Sequence, residues 1–257
     1  MTPTRLSPTR IATYLKCPAS YRYRYESGLP ETLNPWMIRG IAVHAAVEAF
    51  YRGKLQNRPL SADQVAKIAE RAFNEELRRF PLEEQKRFDN LLGLRLDAKT
   101  MARCYCRDLG ARIVPVCVEQ EVEKALPSGV TVVGRVDLVE ERGVRDLKTA
   151  SRPPCGSEAV ESLQLPAYAW MMGISLPVMG YLDFTTTTTV FPVPAEITER
   201  SVEAFVTRAE RVAQGIANRD FPATPDNPGA CLRCQFAQEC IPQAGISLKR
   251  SVSTPYI

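Results

Sequence analysis

Two short segments constrain this chain more than any other stretch: Thr131 to Glu140 (TVVGRVDLVE) and Gly143 to Thr149 (GVRDLKT), separated only by Glu141 and Arg142. Their β-branched content favours strands, and a two-residue connection predicts an antiparallel hairpin. In that hairpin, residues whose numbers sum to 283 lie opposite each other, so Asp137 faces Asp146. Opposed carboxylates about 5 Å apart repel unless something offsets their charge. Lys148 lies two residues after Asp146 and therefore on the same strand face. Two carboxylates and one ammonium on one patch suit a divalent cation and an anionic substrate. The plainer alternative is a solvated hairpin of alternating charge.

Gly134-x-x-Asp137 followed by Asp146-Leu147-Lys148 resembles the core motif of the PD-(D/E)XK nucleases. The resemblance implies a restriction-endonuclease-like α/β fold, with a central mixed sheet flanked by helices. It also implies Mg²⁺ or Mn²⁺ held by the acids, where the cation lowers the pKa of a bound water, with the lysine placing that water. Relatives often carry glutamate where this chain has Asp146.

Eight cysteines divide into two sets. Cys231, Cys234 and Cys240 follow a C-x2-C-x5-C spacing, and Cys17 stands alone more than two hundred residues upstream. A site built from these four clamps the two ends of the chain together. The arrangement resembles the RecB-like branch of the superfamily, which includes iron-sulfur nucleases of CRISPR adaptation and AddB-type helicase-nuclease subunits. That resemblance implies a [4Fe-4S] cluster on Cys17, Cys231, Cys234 and Cys240. Zinc remains a competitor, because four thiolates also make a closed tetrahedral site. Cys104, Cys106, Cys117 and Cys155 read as reduced fillers in helix-like, strand-like or loop segments.

Two further segments match the same family. Arg39-Gly40-Ile-Ala-Val-His44-Ala-Ala-Val-Glu48 resembles its R-G-x-x-x-H-x-x-x-E helix, which implies that His44, the only histidine, is a metal ligand. The backbone carbonyl of Leu147 is an extra ligand by the same resemblance. Gln164-Leu-Pro-Ala-Tyr168 resembles the Q-x-x-x-Y helix after the catalytic strand. Gln164 and Tyr168 share a helix face, and Pro166 is tolerated only in a first turn, so the helix starts near Gln164. Tyr168 either assists at the substrate or packs in the core. Glu119 and Glu121 end a strand beside the site, as a supplementary ligand or as solvated acids.

The chain's 257 residues, 45% hydrophobic and 24% charged, can bury roughly 70 to 75% of the unfolded surface. No apolar run approaches the roughly 18 residues of a membrane helix, and the polar start lacks a signal-peptide core, which predicts a cytoplasmic protein with no membrane partner. The net charge of +4 is small but uneven: residues 1 to 25 carry five basic residues and no acid. Within them Tyr21-Arg22-Tyr23-Arg24-Tyr25 suits DNA phosphates and unpaired bases, or a helix with tyrosines packed inward and arginines outward.

The pattern predicts a single domain: an N-terminal arm over 1–39, helical region and nuclease core over 40–220, the cysteine cluster over 221–245 and a tail over 246–257. Within it, helices are expected over 40–53 and 61–112 with a break near Pro81, strands over 113–121, 131–140, 143–149 and 178–184, and a helix over 201–218. The threonine run 185–189 extends the preceding strand or forms a loop. The expected activity is metal-dependent DNA hydrolysis, as an exonuclease on single strands or free ends in repair, recombination or CRISPR adaptation. No G-x-x-x-x-G-K-[ST] motif is present, so unwinding needs a helicase partner. A homo-oligomer is open, as is a non-catalytic iron-sulfur DNA-binding or assembly module.

Overall fold

The computed structural model describes residues 5–29, 32–141, 143–224, 231 and 234–244. The turn residue Arg142, part of the proline-rich stretch and the tail over 246–257 lie outside them.

The segment expected as an arm is folded. It forms β1 (Arg5–Leu6), α1 (Pro8–Lys16), α2 (Pro18–Tyr21) and a π-helical turn over Arg22–Glu26. Ser7 caps α1 by accepting from the Arg10 amide, and Pro8 and Pro18 stand where a first-turn proline costs no hydrogen bond. Leu6, Ile11, Tyr14 and Tyr21 are buried in the main core.

Next comes α3 (Pro35–Leu55), which starts five residues before the expected Gly40 because Asn34 caps it, accepting from the Trp36 and Met37 amides. The expected helical stretch over 61–112 resolves into α4 (Ala62–Leu77), α5 (Leu82–Gln85), α6 (Leu91–Asp108) and a 3₁₀ turn over Gly110–Arg112. The strands follow: β2 (Pro115–Ala125), β3 (Thr131–Glu140) and β4 (Gly143–Thr149). Then come α7 (Gln164–Met172), β5 (Val178–Thr185), β6 (Val190–Ile197), α8 (Glu199–Ala217) and α9 (Ala237–Ala244). The threonine run divides: Thr185 closes β5, and the Thr186 hydroxyl takes up the Thr188 and Thr189 amides in the turn before β6.

These strands form one mixed sheet in the order β1-β3-β4-β5-β6, with β2 along the other edge of β3. Two apolar cores sandwich it. One packs α1, α7 and α8 against Val132, Val136, Val144 and Leu182. The other packs α3, α4 and α6 against Leu138 and Leu147. Among the described residues no helix is long and apolar enough to cross a membrane.

Two departures from ladder regularity position the site. The β3–β4 pairs are Leu138↔Arg145, Val139↔Val144 and Glu140↔Gly143, the register the two-residue turn predicts, and they stop there. From Asp146 onward β4 keeps its parallel ladder with β5 only, Asp146↔Leu182 through Thr149↔Thr185. The β2–β3 pairs pass from Val118↔Leu138 to Gln120↔Val136, skipping the level of Glu119 and Asp137.

Candidate active site

Where β3 and β4 part, side chains take over the backbone of Leu147. Asp137 Oδ2 accepts its N–H at 2.8 Å, and its carbonyl accepts from His44 Nε2 at 2.9 Å. The other ring nitrogen, Nδ1, lies 3.5 Å from Asp137 Oδ2. Helix α3 thus delivers His44 to the point where the hairpin opens.

Glu119 completes this group. It adopts φ 50°, a left-handed conformation that a side chain larger than glycine takes up only under constraint. The twist turns its carboxylate inward, and the side chain is only 4% exposed, with Arg135 Nε at 2.5 Å. Ligand atoms of His44, Glu119 and Asp137 all lie within 4.8 Å of one another. Of the two roles open to Glu119, ligand or solvated strand end, burial beside His44 and Asp137 agrees with the first. Glu121, its neighbour but one, is exposed.

Burial raises the Asp137 carboxyl to about 6, with the Asp146 charge adding to the rise against the pull of His44. Burial, and then Asp137, push Glu119 up to about 7. Two neighbouring acids that resist ionisation are the arrangement a cation relieves. The oxygen and imidazole donors, with the Leu147 carbonyl beside them, suit a hard divalent ion.

Asp146 takes a different place from the one expected. It is buried, but its carboxylate is outside the three-residue group and turns to the α7 side. Its Oδ2 forms an ion pair with Lys148 Nζ at 2.5 Å without a well-angled hydrogen bond, and Oδ1 is 3.5 Å from the Tyr168 hydroxyl. Lys148 Nζ donates to Gln164 Oε1 at 2.6 Å, and Gln164 Nε2 donates to Tyr168 Oη at 2.9 Å. Asp146, Lys148, Gln164 and Tyr168 therefore close a ring, which explains the four-residue spacing on α7. Gly134 leaves room for it: a Cβ there would stand 2.9 Å from Met171 Cε and 3.4 Å from Tyr168 Cε1. Burial and then Asp146 hold the Tyr168 hydroxyl well above its ordinary range.

The four cysteines of the split set line one cavity, Cys17 from the α1–α2 junction and Cys231, Cys234 and Cys240 from the C-terminal segment. Burial, and then Cys17, Cys234 and Cys231, push the Cys240 thiol up. In the aromatic-basic run, Tyr21 and Tyr23 are buried, with their rings against Phe221 and Phe236. Base stacking on those two rings is therefore corrected to core packing. Arg22 and Arg24 stay half-buried over the rings of Tyr23 and Tyr25.

The PD-(D/E)XK nuclease superfamily model matches residues 5–241. The chain belongs to that superfamily. Its members hydrolyse nucleic acids with divalent metals, and the fold and the acidic site agree with that membership. A crystal structure from Eubacterium rectale, of a protein described as a candidate exonuclease, is similar over 99% of this chain and 91% of that one, with a TM-score of 0.60 and 10% identity. The crystal structure of SSO0001 aligns over 92% of this chain and 85% of that one, at 14% identity and a TM-score of 0.46. No curated protein matches the chain.

Proposed function

We propose that the protein is a Mg²⁺- or Mn²⁺-dependent deoxyribonuclease of the RecB-like, iron-sulfur type, acting as an exonuclease on single strands or DNA ends. The observation that carries the reading is the meeting of two half-sites at the opening between β3 and β4: His44, Glu119, Asp137 and the Leu147 carbonyl on one side, and the Asp146–Lys148–Gln164–Tyr168 ring on the other. His44, Glu119 and Asp137 would hold the cation, and Asp146 would join them from its ion pair with Lys148. When bound, the cation supplies an acidified water and charge neutralisation at the attacked phosphate. Lys148, held by Gln164, directs its ammonium at that water or at a phosphate oxygen. Tyr168 and Gln164 fix where the ammonium points.

Cys17, Cys231, Cys234 and Cys240 line one cavity, and a cluster held by them would join chain ends that also share a small apolar cluster of Ala19, Tyr23 and Phe236. Four thiolates would equally suit tetrahedral zinc, so metal analysis decides between the two.

The test is digestion of end-labelled single-stranded, blunt and circular DNA with Mg²⁺ or Mn²⁺, alongside iron and zinc analysis of anaerobically purified protein. Loss of label from linear single strands, sparing of circles, and about four irons per chain are expected. Absence of cleavage under all metals would favour the non-catalytic module, and stoichiometric zinc would remove the cluster.

A further inference from the structure

We propose that Trp36, with Met37 and Ile41 beside it, is a stacking platform for an unpaired base next to the attacked phosphate, which makes the site selective for single strands. The inference rests on the nuclease reading and names the substrate class of the same site.

Trp36 is 55% exposed, Met37 40% and Ile41 39%. Single exposed apolar residues need no explanation, but three within two turns of one helix do. Their placement relates them to the site. Trp36, Gly40 and His44 recur every four residues on α3 and so share a stripe. Gly40 abuts the end of the catalytic strand: a Cβ there would stand 3.3 Å from Thr149 Oγ1. One turn further in, His44 Nε2 meets the Leu147 carbonyl. One turn the other way, about 6 Å along the axis, Trp36 follows on the same stripe, past the level of Thr149. Met37 and Ile41 continue the apolar surface, seven and three residues before His44 and thus on its side of the helix.

Charge identifies the occupant. Arg152 is exposed, and no ion pair holds it among the described residues. It follows Thr149 by three residues and so lies within about 11 Å of it by chain reach. An exposed aromatic face and an exposed guanidinium, both beyond the end of β4, match a nucleotide, whose base stacks while its phosphate meets the cation. A duplex hides its base faces in its own stack, so the platform serves only unpaired ends.

The test uses the full chain carrying Lys148→Ala to suspend cleavage, with short labelled oligonucleotides that are single-stranded, duplex, or single-stranded with one abasic position moved along the strand. Trp36→Ala should weaken single-strand binding about 5- to 100-fold, Trp36→Phe should restore most of it, and duplex binding should not change. One or two abasic positions should cost the parent affinity and cost Trp36→Ala nothing further. Unchanged single-strand affinity, or equal loss at every abasic position, would overturn the platform. So would a fall in solution mass from dimer to monomer on Trp36→Ala, which would give the patch to a second copy of the chain. Cleavage by the wild-type chain with Mn²⁺ is read separately: no cleavage with Trp36-dependent binding sinks the nuclease reading alone, and cleavage with Trp36-independent binding sinks the platform alone.

Discussion

Replacing Glu119 by glutamine removes one charge and little volume, and the structure sets the size of the effect. Burial and Asp137 raise its carboxyl from the ordinary 4.5 to about 7. That difference is worth about 3 kcal/mol between the protonated and charged forms. A folded pKa above the unfolded one means that the folded state binds the proton more tightly. The contribution therefore favours folding at low pH and is lost as pH rises from about 4.5 through about 7. Metal-free wild type should lose on the order of 2 to 3 kcal/mol of stability from this group between pH 5 and pH 8. Glu119→Gln should remove that share and unfold later than wild type at pH 8 in chelator. Added Mn²⁺ should reverse the order, because a ligand that binds only the folded state stabilises by mass action and the variant has lost a donor. Denaturant unfolding at the two pH values, with chelator or Mn²⁺, reads all four conditions, and cleavage is measured in parallel. If the variant kept wild-type Mn²⁺ affinity and cleavage, the carboxylate would belong to the Arg135 ion pair and not to the metal. Arg135→Gln is the control: it leaves the carboxylate in place and should spare metal binding.

Asp137→Ala should abolish cleavage and Mn²⁺ binding, whereas Lys148→Ala should abolish cleavage while Mn²⁺ affinity, by titration calorimetry, holds or rises. If both variants kept full activity in preparations free of contaminating nuclease, the hairpin would not be the catalytic centre. Tyr168→Phe and Gln164→Ala release the ring around Lys148, so each should lower kcat about 10- to 100-fold with less change in metal affinity, in line with a misplaced proton-transfer group; an effect confined to thermal stability would reduce both to packing. Cys17→Ala or Cys234→Ala should release iron and lower solubility, and unchanged iron content would remove that residue from the ligand set.

The residue pattern carried the centre of the fold well and its periphery poorly. Strands β3 and β4 fall on the expected bounds because β-branched alternation and a two-residue turn leave little other choice. The start of α7 was fixed by Pro166. The N-terminal 39 residues read as an arm because their strand has only two residues and their helices are four and nine long, too short for a periodic signal. Alternation along β4 puts Asp146 on the face of Lys148, with which it pairs, but strand pairing cannot show that the ladder ends one step before it. Glu119 stays open between ligand and solvated strand end in the sequence for a related reason: no side-chain pattern encodes the φ of 50° at which the structure holds it.

That same interruption explains how one strand can serve two half-sites. Along β4, Arg145, Leu147 and Thr149 face the α3–α6 layer, while Asp146 and Lys148 face α7. A continuous sheet would keep the two sets apart. The buried Arg145 guanidinium holds the strand in place, bonded to Glu140 at 2.6 Å and to Asp183 at 2.9 Å, with the Tyr105 hydroxyl donating to Asp183 at 3.1 Å. With β4 tied to the end of β3 and to β5, the strands can separate only from Asp146 onward. His44 and Glu119 then reach the opening from the α3 side and Lys148 from the α7 side. Arg145→Met would leave Asp183 and Glu140 buried without their cation, a change that costs about 3 to 5 kcal/mol in such settings. Since that web holds the opening's geometry, metal affinity should fall along with stability, although Arg145 is not among the proposed donors.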